Sequence, residues 1–191
     1  MYSCSSDEVI WTNTTSRPTS IPAIEIAKEL LQLNAIEGMW YWNGAPFSGY
    51  AIDKYPNHIL SERTGFLLGK KEGVSKKWHV DGTLKKQAIY RANRLHGIVS
   101  VWSPGPENTL VSESNFVEGV RHGLQRRWYT SGQIQRSVHL NMGLEEGLQQ
   151  AWLENGKIYV NYEAKNGRTF GLKKANLCYE LENENILFTD K

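Results

Sequence analysis

The sequence predicts an all-β protein: an elongated antiparallel sheet of stacked β-hairpin repeats, each about 24 residues long, with a short N-terminal helix. Three observations predict it. The 191-residue chain holds 17 Gly, 7 Trp and 9 Tyr but only 6 Pro, and glycine enriched together with aromatics marks many short strands joined by tight turns. Five aromatics (Tyr55, Trp78, Trp102, Trp128 and Trp152) recur at spacings of 23, 24, 26 and 24 residues. Glycines keep phase with them: Gly73, Gly97, Gly123 and Gly147 lie five residues before each Trp, and Gly49 lies six before Tyr55.

Residues 1–21 are polar and aperiodic, and read as a flexible lead-in. In the following IPAIEIAKELLQLN, Ala23, Ile26, Ala27, Leu30 and Leu31 follow the spacing of one helix face. Pro22 suits a first helical turn. This predicts a capping helix within residues 22–36, over about 22–33, to cover an otherwise open repeat end.

The repeat domain is expected over residues 37–179. A further glycine precedes the first by four residues at Gly69, Gly119, Gly143 and Gly167. Asn93 replaces it in one copy, and Gly44 does the same job in the first copy with one extra residue. Gly82, Gly132 and Gly156 follow a Trp by four, each with Leu84, Ile134 or Ile158 two residues on. The unit is G-x-x-x-G-ϕ-x-x-x-W-x-x-x-G-x-[IL], with ϕ apolar. Runs such as 73–79 and 83–90 are its two strands. HVDG, YTSG and LENG are hairpin turns in which Gly supplies positive φ. GKKEG, GVRHG and GLEEG turn the chain into the next unit. The copy at WSPGPENTL carries two extra residues, and the first copy offers His58 where glycine is usual. Residues 180–191 read as an acidic tail.

Alternation assigns Val74, Lys76 and Trp78 to one face, and likewise Leu124, Arg126 and Trp128. Lys86, Ala88 and Tyr90, or Arg136, Val138 and Leu140, form the set on the second strands. Apolar ends around a polar centre fit either strong twist or a bulge that flips the face midway. The Trp ladder is expected to be core packing, with a stacking surface for sugars, bases or peptide as the alternative.

Residues 69–173 hold 9 Lys and 7 Arg against 9 Asp and Glu, whereas the whole chain has a formal charge of +2. The array is therefore basic. Lys76, Lys86, Arg126, Arg127 and Arg136 are the candidate binding residues, for an acidic partner, lipid headgroups or nucleic acid. A solvated charged face that blocks edge aggregation is the simpler alternative. The overall charge is too small to argue for nucleic acid. No nucleophile elbow, phosphate loop or metal-ligand spacing occurs, so neither catalysis nor a cofactor is expected. No stretch approaches the about 18 apolar residues of a membrane helix. Cys4 and Cys178 make no disulfide framework, and Cys178 reads as a buried small residue.

The stretches GVSKKWHVDGTLKKQAIY, GLQRRWYTSGQIQRSVHL and GLQQAWLENGKIYVNY resemble the MORN-variant repeats of YwqK-type antitoxin proteins. The resemblance covers roughly residues 37–172. It implies hairpin repeats and little about mechanism, although MORN-type proteins are often linked to membranes or to protein partners; a non-catalytic scaffold that binds a protein partner is the expected function. It carries no catalytic residues. A cognate toxin as that partner, or a carbohydrate or lipid headgroup held by the Trp and basic residues, are the alternatives. The opening MYSCSSDE resembles the start of a mature bacterial lipoprotein, with Cys4 as the lipidated residue. That implies an anchor at the cell envelope, in preference to the cytoplasm.

Overall fold

The computed structural model describes residues 20–172, 179–182 and 185–188. The chain begins with β1 (Glu25–Ala27), one 3-10 turn (Lys28–Leu30), β2 (Gln32–Asn34), β3 (Met39–Trp42) and β4 (Ala45–Pro46). The main sheet continues through β5 (Gly49–Lys54), β6 (Leu60–Leu67), β7 (Lys70–Trp78), β8 (Leu84–Arg91), β9 (Arg94–Leu95) and β10 (Gly97–Trp102). It ends with β11 (Leu110–Val117), β12 (Val120–Trp128), β13 (Ile134–Asn141), β14 (Leu144–Trp152), β15 (Ile158–Lys165) and β16 (Arg168–Leu172). The 13 strands of this sheet follow sequence order from β5 onward, with β9 attached to β8. That is the expected antiparallel meander of hairpins. β17 (Tyr179–Glu182) and β18 (Asn185–Phe188) pair as a separate hairpin inside the region expected as an acidic tail.

The expected helix over 22–33 is not formed. Those residues make β1, the 3-10 turn and β2. The one parallel pairing of the main sheet explains the difference: Glu25, Ile26 and Ala27 pair with Tyr50, Ala51 and Ile52. Extended backbone satisfies its polar groups on that open edge and still delivers Ile26 and Leu31 to the interior. They join Phe47, Ala51 and Phe66 in a cluster against which Trp40 and Trp42 pack. Phe66 meets both Trp40 and Phe47 at 5.9 Å between ring centroids. Tertiary packing outweighs a weak local propensity here. This cluster, and no helix, covers the first end of the array.

The turns follow the glycine pattern. Leu68–Gly69, Glu118–Gly119 and Met142–Gly143 all have positive φ at both residues, as a two-residue hairpin turn that matches strand twist requires. Only the first glycine of each pair lies in the turn. The second is a bulge inside the next strand. Thr64 pairs with Ser75 and Phe66 with Lys71, so residues 72–74 oppose a single residue, Gly65. Gly73, at φ +68, provides the kink. Gly123 (+77) and Gly147 (+83) repeat it, and Gly97 (+87) opens β10 just after β9. A second bulge follows each Trp: Lys77 pairs with Lys86 but Trp78 with Leu84, which leaves Lys85 over. On the second strands this bulge sets Leu84 beside Trp78 but Lys86 beside Lys77, so the face flips there, whereas Val74, Lys76 and Trp78 of β7 keep a single alternation.

Hydrogen bonds also correct the phase of the first copy. Tyr55 N donates to Ile59 O as His79 N does to Thr83 O, Tyr129 N to Gln133 O and Leu153 N to Lys157 O. Tyr55 is therefore the equivalent of His79, not of Trp78. Its ring hydroxyl donates to the Trp78 carbonyl at 2.8 Å, and Tyr129 does the same to Trp152 at 3.0 Å. These bonds tie each turn to the next. His58, at φ +65, does occupy the place of Gly82.

One line of paired residues runs across the sheet through Ala51, Thr64, Ser75 and Ala88, and on through Ser114, Gln125, Val138, Gln149 and Tyr162. Nearly all are buried. The repeat tryptophans are only half-buried. The interior of the array is thus this narrow line of small and medium side chains, rather than the indole ladder that was expected to fill it.

Candidate functional site

The buried line forms the floor of a groove. At the Gly123 and Gly147 kinks buried glutamines donate to backbone carbonyls beside the bulge. Gln149 Nε2 donates to His139 O (2.7 Å) and Gly147 O (3.2 Å). Gln125 Nε2 donates to Asn115 O (3.0 Å) and Gly123 O (3.3 Å). These side chains hold the kinks that shape the groove walls.

Directly paired residues share a face, and side chains two apart along a strand do too. On that basis the row beside the floor holds Glu62, Lys77 and Lys86 at one end and Arg127 and Arg136 further along. Arg121 comes in from the other side of the floor, opposite Phe116. Arg121, Arg127 and Arg136 meet around an open groove of 570 Å³, lined also by Ser114, Val138 and Leu140. No ion pair or hydrogen bond engages these three side chains among the described residues.

The five candidate binding residues therefore divide. Arg126, Arg127 and Arg136 all line the groove. Lys86 lies in the same paired row as Arg127, next to Val101, and Lys76 lies elsewhere. Arg126 pairs with Glu113 at 2.9 Å and lies 5.4 Å from the Trp128 ring centroid. Lys76 lines a separate shallow depression with Arg63, Val74, Trp78 and Gln87. Gly73, Gly97, Gly123 and Gly147 are kink residues. Trp78, Trp102, Trp128 and Trp152 end the strands before each turn. Cys4 and Cys178 lie outside the described residues.

The Lys77 end contains a network that sequence reading missed. Glu62 is 7% exposed. It accepts from Lys28 Nζ at 2.7 Å and from Thr64 Oγ1 at 2.9 Å, with Lys77 Nζ at 3.3 Å. Burial alone would raise its pKa. The hydrogen bonds from Lys28 and Thr64 and the charges of Lys28 and Lys77 outweigh burial and hold the carboxyl at about 2. Burial lowers the nearby Lys71 ammonium, which sits 5.3 Å from the Tyr90 ring centroid. Lys28 and Glu62 are 34 residues apart in the chain, and no periodicity links them. At the far end Tyr162 donates to Glu145 at 2.8 Å; burial, then that bond, pushes its pKa up to about 12. Among the described residues no three His, Cys, Asp or Glu side chains gather as metal ligands.

The unit with the three groove arginines spans β12, its turn and β13. Residues 121–141 match the family model described as MORN repeat variant. No curated protein matches the chain. The matched MORN repeat starts at Arg121 and contains Arg127 and Arg136, so the cationic end of the groove is built within one repeat. The same pairing register recurs in the hairpins β7–β8 and β14–β15. The structure thus extends the MORN geometry to neighbouring copies.

Proposed function

We propose that this protein is a non-catalytic interaction module whose MORN-like array holds a protein partner in its basic groove. The observation that carries the reading is the cluster of Arg121, Arg127 and Arg136: three unpaired guanidinium groups around one open groove. Arginine is favoured in interface centres because its planar fork meets carboxylates in bidentate fashion. MORN repeats as a class are associated with protein- and membrane-interaction modules. Attachment through a lipid on Cys4 would place the module at a bacterial cell envelope. A toxin found in the groove would make the same module an antitoxin.

The test is affinity capture from the native host, followed by binding of the purified pair. Wild type is expected to retain one partner that the Arg127→Gln/Arg136→Gln variant, folded by circular dichroism, does not. An identical set of captured proteins for both would overturn the reading.

A further inference from the structure

The row of paired residues that runs from Lys77 and Lys86 through Val101 and Ser112 into the groove repeats its charge every second unit. Lys77 and Lys86 are direct partners on β7 and β8. Arg127 and Arg136 occupy the same positions two units on, in β12 and β13. The intervening unit sets Val101 opposite Ser112, and the last sets Ala151 opposite Val160. Like charges directly opposite each other destabilise a strand pair. Sheet stability therefore explains neither cationic pair. Glu62 offsets part of the first pair from 3.3 Å. Among the described residues no carboxylate pairs with Lys86, Arg127 or Arg136.

The strand order β7–β8–β10–β11–β12 puts four spacings between Lys77 and Arg127. At about 4.8 Å each, that is about 19 Å. An extended chain advances about 3.3 Å per residue, so side chains six positions apart lie about 20 Å apart. Six is an even number, so both point to the same side.

We propose that the groove binds an extended acidic peptide segment of a partner protein, laid across the strands, with acidic side chains six residues apart. One meets Lys77 and Lys86; the other enters between Arg127 and Arg136. This rests on the interaction-module reading and adds the partner's chemistry and spacing. Single-stranded nucleic acid suits the groove less. Its closely spaced phosphates would cross the neutral Val101–Ser112 stretch uncompensated, and a floor of Ser75, Ala88 and Ser114 offers no stacking platform. A membrane surface does not reach a floor as deep as Gln125, which is 7% exposed.

The test uses the full chain and a labelled Thr/Val-rich peptide of about ten residues with two glutamates six positions apart. Comparison probes are the same peptide with glutamates three apart, oligothymidine and phosphatidylserine vesicles. Fluorescence anisotropy is expected to show about tenfold tighter binding of the six-apart peptide, weakening as salt rises. Lys86→Gln and Arg127→Gln/Arg136→Gln are each expected to abolish that preference. Absent peptide binding, equal affinity for the two peptides, stronger binding of oligothymidine or vesicles, or an unchanged preference in the variants would overturn the proposal. If the spacing makes no difference while Arg127→Gln/Arg136→Gln still loses the native partner, the spacing falls and the module stands. If native capture is also unchanged, both fall.

Discussion

Replacing Glu62 by Gln probes the charge network at the Lys77 end of the groove. The folded carboxyl titrates at about 2, against an ordinary value of 4.5. A depressed folded pKa means that the unfolded chain binds more protons between those two values. The stabilisation is therefore fully present above pH 4.5 and lost as pH falls toward 2. Such a shift corresponds to about 3 kcal/mol at 1.36 kcal/mol per unit. Lys28 and Lys77 are 39% and 47% exposed, so solvent screening reduces the expected contribution to about 2 kcal/mol. The assay is urea unfolding followed by tryptophan fluorescence, to which Trp40 and Trp42 on the N-terminal core contribute. At neutral pH, Glu62→Gln is expected to lie about 2 kcal/mol below wild type, and the gap is expected to close as pH approaches 2. A gap that is absent at neutral pH, or constant down to pH 2, would refute the assignment of Glu62 as the buried anchor of Lys28 and Lys77.

Removing one member of the like-charged pair, as in Arg136→Gln, is expected to raise stability by about 0.5 kcal/mol in low salt, with the gain fading in high salt; thermal unfolding at two ionic strengths checks it, and a loss would show that Arg136 is structural. Gly123→Ala meets nothing closer than Asn115 Cβ at 3.9 Å, so its cost is the φ of +77 alone, about 1–2 kcal/mol. Gly65→Ala would push a methyl to 2.6 Å from the Glu72 carbonyl oxygen and is expected to cost more, about 3 kcal/mol; chemical denaturation ranks the two. His58→Gly relieves a φ of +65 in an exposed turn and is expected to raise the unfolding midpoint by the equivalent of up to about 1 kcal/mol.

The repeat was legible because the glycines at Gly69, Gly119 and Gly143 answer a local demand, positive φ in a two-residue turn. Local demands leave local signatures. The phase of the first copy was not legible. Tyr55 imitates a repeat aromatic in type and near-spacing, and only the hairpin-closing bond to Ile59 places it beside His79. The helix expected over 22–33 failed for a tertiary reason. Apolar residues at helical spacing also describe a strand and a turn that drop Ile26 and Leu31 onto Phe47 and Phe66. The basic character of the array could be counted from composition. Which cations share a face could not, because each unit has two bulges and each shifts the pairing. Lys76 lies in a separate depression with Arg63 and Gln87, whereas Arg126 lines the groove with Arg127. Lys86, Arg127 and Arg136 fall in one row because β7–β8 and β12–β13 repeat one register.

The most direct test of the groove is site-specific photocrosslinking in the native host. A photoreactive residue at Ser112, on the groove face beside Arg127, is compared with one at Lys76 on the opposite face. The account predicts that Ser112 yields one protein adduct, mapped to an acidic segment, and that Lys76 does not. The same adduct from Lys76 with none from Ser112 would contradict it.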